Sequence, residues 1–457
     1  MVSFKCDNKV LEKAFDIALN DVKSNVKMFR DGLLEEEKLC VMAGNDYDTP
    51  WTRDTAINVW NTVAFTSPEV AENTLMSVLE RRDDGRVYIG GEYWDCIIWA
   101  QGAMSYIEIT GNNNFKHTAK EAICNSLRYF EKTEFDAKKG LFRGPAVYGD
   151  GVSAYPDKYS NANSSGIKFW QLQAENKDKI APVGVGIPMF CLSTNCVYFR
   201  AYEVAAELCK SLGVDGTEYE TKAKALKEAI NREFWNETNK RYDYMAGECD
   251  YEEALGNAFV ILFDIADGEK TQLMVKNHHV CPHGTPCIWP NFERYEKLGN
   301  YGRHAGLIWP HAQAFWARAA FKAGDKAGFE KELNLMAEKA VENNEFHEIY
   351  HPDTGLPYGG LQEFDNTRIG EWGSCTHQTW SATGYISMVL YCILGASISD
   401  GKVKFAPYLP ENINEFSVNE LVIGGTEFSV TVRRGEGEST AEFDTTSTGK
   451  IAVTLNV

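Results

Sequence analysis

Thr194-Asn-Cys-Val-Tyr-Phe-Arg-Ala-Tyr-Glu-Val-Ala-Ala-Glu-Leu-Cys-Lys-Ser-Leu212 decides what kind of fold this chain makes. Val197, Ala201, Val204, Ala205, Leu208 and Leu212 recur at helical spacing and draw one apolar stripe along a helix. The same pattern appears upstream at Asn8–Ser24, after Trp51, from Ser67, and near Tyr93–Thr110 and Asn114–Lys132. Downstream it appears near Thr217–Trp235, Tyr251–Ile265, Glu269–His278, Ala305–Ala323, Lys326–Asn343 and Thr376–Leu394. Ser67-Pro68 is a helix start in its own right, with serine as cap and proline in the first turn. About a dozen helices in roughly 395 residues, with no exact repeat, predict a mainly α fold. Paired as six hairpins, they make an (α/α)6 toroid with its cleft at one end of the inner ring.

Beyond Gly395 the period changes. Lys402–Phe405, Glu420–Ile423, Phe428–Val432 and Ile451–Leu455 are short β-branched runs, with turn signals at Gly424-Gly425 and Gly435-Glu-Gly437. The expected organisation is therefore a helical catalytic domain over residues 1–395 and a small C-terminal antiparallel β-sandwich over 396–457.

Composition narrows the function. The net charge of −19 argues against nucleic acid or an anionic membrane as partner. Aromatic residues make up 12% of the 457, with 11 Trp, and flat aromatic faces suit the C–H faces of sugar rings. No run of about 18 apolar residues occurs, and the start, Met1-Val-Ser-Phe-Lys-Cys, has no apolar signal core. The 12 cysteines are scattered without metal-ligand spacing, so they read as reduced core residues of a cytoplasmic protein. Neither a metal nor a cofactor is expected.

The chemistry belongs to the long loops between helices. Glu345-Phe-His-Glu-Ile-Tyr-His-Pro-Asp-Thr-Gly-Leu-Pro-Tyr-Gly-Gly360 masses polar and aromatic groups ahead of a turn, with Glu348 and Tyr350 at its centre. Far upstream, Gly140–Pro156 sets Asp150 between two glycines, with Tyr148 and Tyr155 near it. An inverting glycosidase needs a protonated carboxyl and an ionised one about 6.5–9.5 Å apart. Asp150 is the candidate acid and Glu348 the candidate base. Glu363, on the same loop system, is a rival base. Trp51-Thr-Arg-Asp54 and Tyr93-Trp-Asp95 offer Trp51, Arg53, Asp54, Tyr93, Trp94 and Asp95 for sugar hydroxyls and ring faces. Trp309, His311 and Trp372 stand at loop-bounded helix starts as further cleft candidates, whereas Trp380 reads as core and His377 as structural.

These segments, in order, resemble the six-hairpin glycosidases: trehalases, the glucosidases of glycoside hydrolase family 63, and bacterial α-L-rhamnosidases. The resemblance runs over about residues 45–400 and is carried by Trp51–Asp54, Tyr93–Asp95, Phe142-Arg143-Gly-Pro145, Gly149-Asp-Gly151, Trp309-Pro310, Glu348–Gly355 and Gln378–Ala382. Glu348–Gly355 is similar to the Glu-x-Tyr-x-Pro-x-Thr-Gly segment that carries the family-63 general base. The loop of Asp150 stands where those enzymes carry the acid, without the trehalases' Trp-Asp-Phe-Ser wording. The run Leu394–Pro410 resembles the barrel-to-sandwich junction of disaccharide phosphorylases and rhamnosidases. The resemblance implies an inverting exo-glycoside hydrolase for an α-linked sugar, an α-glucoside first. It also implies substrate contacts from the cleft residues named above, Arg143 and Tyr148 among them. The alternatives are a disaccharide phosphorylase or an α-L-rhamnosidase. A carboxylate in the position of the base favours hydrolysis, because a phosphorylase needs only the acid. A sugar epimerase built on His311 and His377, or a binding protein without chemistry, are the readings from other classes. The expected partner is a small-molecule or oligosaccharide substrate.

Overall fold

The computed structural model describes residues 2–92, 94–159, 189–365, 368–399, 401–445 and 448–457. The fold is mainly α, with a β region at the C-terminal end. Twelve of its helices fall into two alternating sets. One set is α2 (Thr52–Asn58), α4 (Trp99–Thr110), α6 (Leu192–Ser211), α8 (Ala254–Leu262), α10 (Pro310–Lys322) and α12 (Thr379–Ser387). The other is α1 (Lys9–Ser24), α3 (Pro68–Ser77), α5 (Phe115–Thr133), α7 (Thr217–Phe234), α9 (Gly268–Asn277) and α11 (Lys326–Asn343).

Members of the first set touch in a closed cycle: α2 on α4, α4 on α6, α6 on α8, α8 on α10, α10 on α12, and α12 back on α2. Their burial fits that place. Eleven residues of α10, from Pro310 to Ala320, are buried, and α8 is buried from Ala254 to Ile261, whereas α9 in the second set buries only Met274. A helix apolar all round belongs inside, and one with a single apolar stripe belongs outside. Gly102 lets α4 approach α2 closely: a Cβ there would lie 2.8 Å from the Ala56 Cα.

The β region holds two sheets. One orders β1 (Ser3–Cys6), β4 (Glu415–Ile423), β5 (Thr426–Arg433) and β7 (Gly449–Asn456), and the other orders β2 (Ala396–Ser399), β3 (Lys402–Phe405) and β6 (Ala441–Asp444). The expectation of an antiparallel unit needs correcting here. β5 and β7 pair in parallel, Thr426 with Gly449 through Arg433 with Asn456, because the chain crosses to the other sheet as β6 before it returns. The N-terminal strand also joins this sheet, with Phe4 opposite Val418. No helix among the described residues is long and apolar enough to cross a membrane. All twelve cysteines are free thiols.

Candidate active site

A cavity of about 590 Å³ opens where the first-set helices begin. Its walls come from the start of α2, from Gly91, Glu92, Trp94 and Asp95 before α4, from Asp150 and Gly151 before α6, from Arg303 and Trp309 before α10, and from Glu348, Gln362, Trp372, Gln378 and Trp380 around the start of α12. Helix N-termini carry a positive partial charge, which suits a wall rich in carboxylates.

Arg53 is the hub of one side. Its Nη1 donates to Asp95 Oδ2 at 3.1 Å and to the Val147 carbonyl at 3.1 Å, and its Nη2 donates to Asp150 Oδ2 at 3.0 Å. Asp54 lies 4.0 Å from Arg53 Nε. Burial pushes the carboxyls of Asp54 and Asp95 up to about 7, and Arg53 only partly offsets it. Asp150 differs. It sits deep in the cavity, where burial works against its charge, yet its side chain is 55% exposed through the mouth. The charges of Arg53 and Arg303 prevail and hold it below the usual carboxylate range. His304 Nε2 stands 3.7 Å from Asp150 Oδ1, and burial lowers this imidazole to about 3, so it faces Asp150 as a neutral ring. The glycines on either side of Asp150 are there for space. A Cβ on Gly151 would lie 2.3 Å from Gln362 Oε1, and one on Gly149 would lie 2.5 Å from the Tyr155 hydroxyl.

Glu348 is buried on the other side. Arg303 Nη2 donates to its Oε2 at 2.6 Å, and the Tyr47 hydroxyl donates to its Oε1 at 3.3 Å. Arg303 is itself held: Nη1 donates to the carbonyls of Gly359 and Gly373, each at 3.0 Å, and the guanidinium lies over Trp309 and Trp372. Trp94, Trp309 and Trp380 line the cavity and are buried, while Trp51, also in the lining, is 50% exposed.

Of the residues singled out from sequence, Asp150, Glu348, Trp51, Arg53, Asp54, Trp94, Asp95, Trp309 and Trp372 line this cavity. Five others lie off it. Arg143 pairs with Asp136 at 3.4 Å on the hairpin below. Tyr148 is fully buried behind the wall, between the rings of His304 and His311. His311 is buried and stacks on Trp380 at 4.1 Å. Tyr350 spends its hydroxyl on the His347 N–H and its backbone on Ile308. Glu363 is bound by Arg294 Nε at 2.7 Å and by the Tyr295 hydroxyl at 2.8 Å, away from the cavity lining. Tyr93 lies outside the described residues. The cavity adds Tyr47, Glu92, Arg303, Gln362 and Gln378, and it claims Trp380, which reads from sequence as core. Tyr47 stands in the acidic turn just before Trp51, a usable signal; Arg303 has none beyond a glycine before it. Among the described residues no group of three or more metal-ligating side chains could hold an ion.

Comparison with known proteins bears on the family and the fold. The family model of the mannosylglycerate hydrolase MGH1-like glycoside hydrolase domain matches residues 47–381. A solved structure described as a sialidase superposes with a TM-score of 0.71 at 13% identity, covering 97% of this chain and 40% of that one. The GH78 family rhamnosidase of Bacillus sp. GL1 gives 0.58 at 15% identity, covering 100% of this chain and 43% of that one. The GH63 mannosylglycerate hydrolase from Thermus thermophilus, in complex with glucose, gives 0.59 at 13% identity, covering 82% of this chain and 100% of that one. The chain thus spans less than half the length of the first two. At these identities the likeness is one of fold. No curated protein sequence matches the chain.

Proposed function

The chain belongs to the mannosylglycerate hydrolase MGH1-like glycoside hydrolase family, and from that premise we propose that it is an inverting exo-hydrolase of α-linked glycosides, α-glucosides first, with Asp150 as general acid and Glu348 as general base. The helices form a six-hairpin (α/α)6 toroid in this reading, which the closed cycle from α2 to α12 supports. The observation that carries the mechanism is that two carboxylates from distant loops line one cavity, each bonded to its own arginine. Glu348, buried against Arg303 and Tyr47, takes a proton from the attacking water. Asp150, open to the mouth, gives a proton to the leaving oxygen. Arg53 keeps Asp150 ionised in the empty cavity, and a sugar that displaces water from its open side raises its pKa toward the value an acid needs. The buried indoles of the lining support attack on a chain end.

The name of the family points to a glycoside whose aglycone is an acid. Here the two cavity arginines among the described residues are already bonded to carboxylates, which favours a neutral glycoside. A second reading for the proton donor has its own support: Asp54 lines the same cavity and titrates near 7. The test is hydrolysis of α-glucosides, α-mannosides, α-L-rhamnosides and mannosylglycerate, with the first-formed anomer read by proton NMR. A β-anomer from an α-glucoside fits the proposal. A retained α-anomer, or release of a sugar 1-phosphate that depends on phosphate, overturns it. Asp54→Asn with full turnover removes the second reading.

A further inference from the structure

Glu348 sits on a connection built from two segments laced together. The Glu348 N–H donates to the Cys375 carbonyl at 2.9 Å, the Cys375 N–H reaches Glu348 Oε2 at 3.5 Å, and the Gln378 N–H donates to the Phe346 carbonyl at 2.7 Å. Close to this ladder stands an imidazole held at both ends. His377 Nδ1 is 2.7 Å from Asp21 Oδ1 on α1, and its Nε2 is 3.2 Å from Glu345 Oε2. The other oxygen of Asp21 accepts the Phe346 N–H at 2.7 Å, and the other oxygen of Glu345 lies 3.2 Å from His347 Nε2. The Nδ1–Asp21 hydrogen bond uses one N–H, and a second carboxylate, Glu345, stands at ion-pair distance from the other nitrogen, an arrangement that favours the doubly protonated ring. His377 also keeps a φ of 45°, a left-handed conformation that the surrounding bonds must hold in place.

We propose that protonated His377 is a positioning residue for the base: it holds Glu345 to Asp21 of α1, the carboxylate that also takes the Phe346 N–H, and thereby aims Glu348 at its water. The inference rests on Glu348 being the base. The ionisable groups around the ring are Asp21 from α1, Glu345 and His347 from the connection after α11, and Asp46 from the loop before α2. The rest of the adjoining surface hollow is neutral: Ile17, Asn20, Ser24, Asn45 and Asn344. Burial lowers the His377 pKa, but the Asp21 hydrogen bond and the charges of Asp21, Glu345 and Asp46 outweigh it, so the ring titrates above the ordinary histidine value. Burial lowers His347, which leaves that neighbour neutral. As pH rises through the His377 pKa, the ring keeps one N–H for Asp21 but loses its charge, and the pairing that holds Glu345 is lost.

The experiment is an NMR titration of the His377 ring, assigned by its loss in His377→Gln, together with kcat and KM against pH for the wild type, His377→Gln, Glu345→Gln and Glu348→Gln. Expected are a ring that titrates above about 6.5 and a wild-type kcat that falls through that same pH. In His377→Gln, kcat drops roughly tenfold to a hundredfold, the range for a misplacement of about 1 Å, with KM little changed and that step in pH absent. If His377→Gln does not fold, Glu345→Gln, which keeps the Asp21 contact, should lower both kcat and the ring's pKa. A ring titrating at or below about 6.5, or wild-type kcat at every pH in the His377 and Glu345 variants, overturns the proposal. Turnover lost in Glu348→Gln but intact in His377→Gln overturns the positioning role alone. Turnover kept in Glu348→Gln overturns the parent reading and this inference with it.

Discussion

The roles proposed for Asp150 and Glu348 differ, so their removal should read differently. An acid matters most when the leaving group is poor. Asp150→Asn is expected to cost about 10² to 10⁴-fold in kcat on a disaccharide and markedly less on a nitrophenyl glycoside, whose leaving group needs no proton. Glu348→Gln should cost the same on both. Equal losses for the two variants on the two substrates would remove the division of labour. Asp54 carries a separate signature in stability. Its carboxyl is pushed up to about 7 by burial, whereas in the unfolded chain it titrates near 4. Between those values the folded protein holds a proton that the unfolded chain has released. That contribution is full below about pH 4 and is lost as pH rises through 7. Asp54→Asn stays neutral throughout, so its urea midpoint should gain on the wild type more at pH 8 than at pH 4. A constant difference would mean that Asp54 is ionised in the fold. Residue identity alone could not separate Glu348 from Glu363. Both sit in glycine-rich, aromatic company, and only the fold separates them, with Glu348 in the cavity lining and Glu363 off it against Arg294, 69 residues before it.

At the level of elements, helices were legible because an apolar stripe is written locally. The stretch Lys326–Asn343 is helical from end to end, as its periodicity predicts. The start of α4 was not. The pattern places it at Tyr93, but the regular helix begins at Trp99, after a 3₁₀ turn at Cys96–Ile98. Before it, Gly91, Glu92, Trp94 and Asp95 belong to the cavity wall instead of a helix. The start of α2 shows the same competition. Trp51 holds the N-cap position with a φ of 47° and no side-chain cap, a costly conformation for a bulky residue, while it lines the cavity half-exposed. Stability is given up there to present a flat face. Trp51→Asn, which tolerates that φ and can cap, is expected to leave the melting temperature unchanged or higher while KM for a disaccharide rises more than kcat falls. A fall of several degrees with an unchanged KM would make Trp51 a packing residue.

Across the whole molecule, the closed helix cycle is a consequence of local signals repeated in order, but the β region depends on contacts no local pattern records. Ser3–Cys6 is too short to announce itself, and its partner strand lies more than 400 residues away: Phe4 pairs with Val418. The parallel pairing of β5 with β7 likewise depends on β6 having left for the other sheet. This joins the two ends of the chain, and Phe4 sits at the seam. It is fully buried, with its ring 5.5 Å from Phe15 on α1 and 5.9 Å from Phe416 on β4. One side chain therefore ties the first strand to a helix of the outer set and to the β region together. Removing it should open a cavity where three elements meet, at a cost of about 3–5 kcal/mol for Phe→Ala. The proposed catalytic carboxylates lie on other elements, so Phe4→Ala is expected to lower the urea midpoint strongly while the folded fraction keeps its kcat. If kcat falls in step with stability, the β region shapes the cavity through α1, the same helix that carries Asp21. If stability barely moves, the N-terminal strand is an appendage and the helices stand without it.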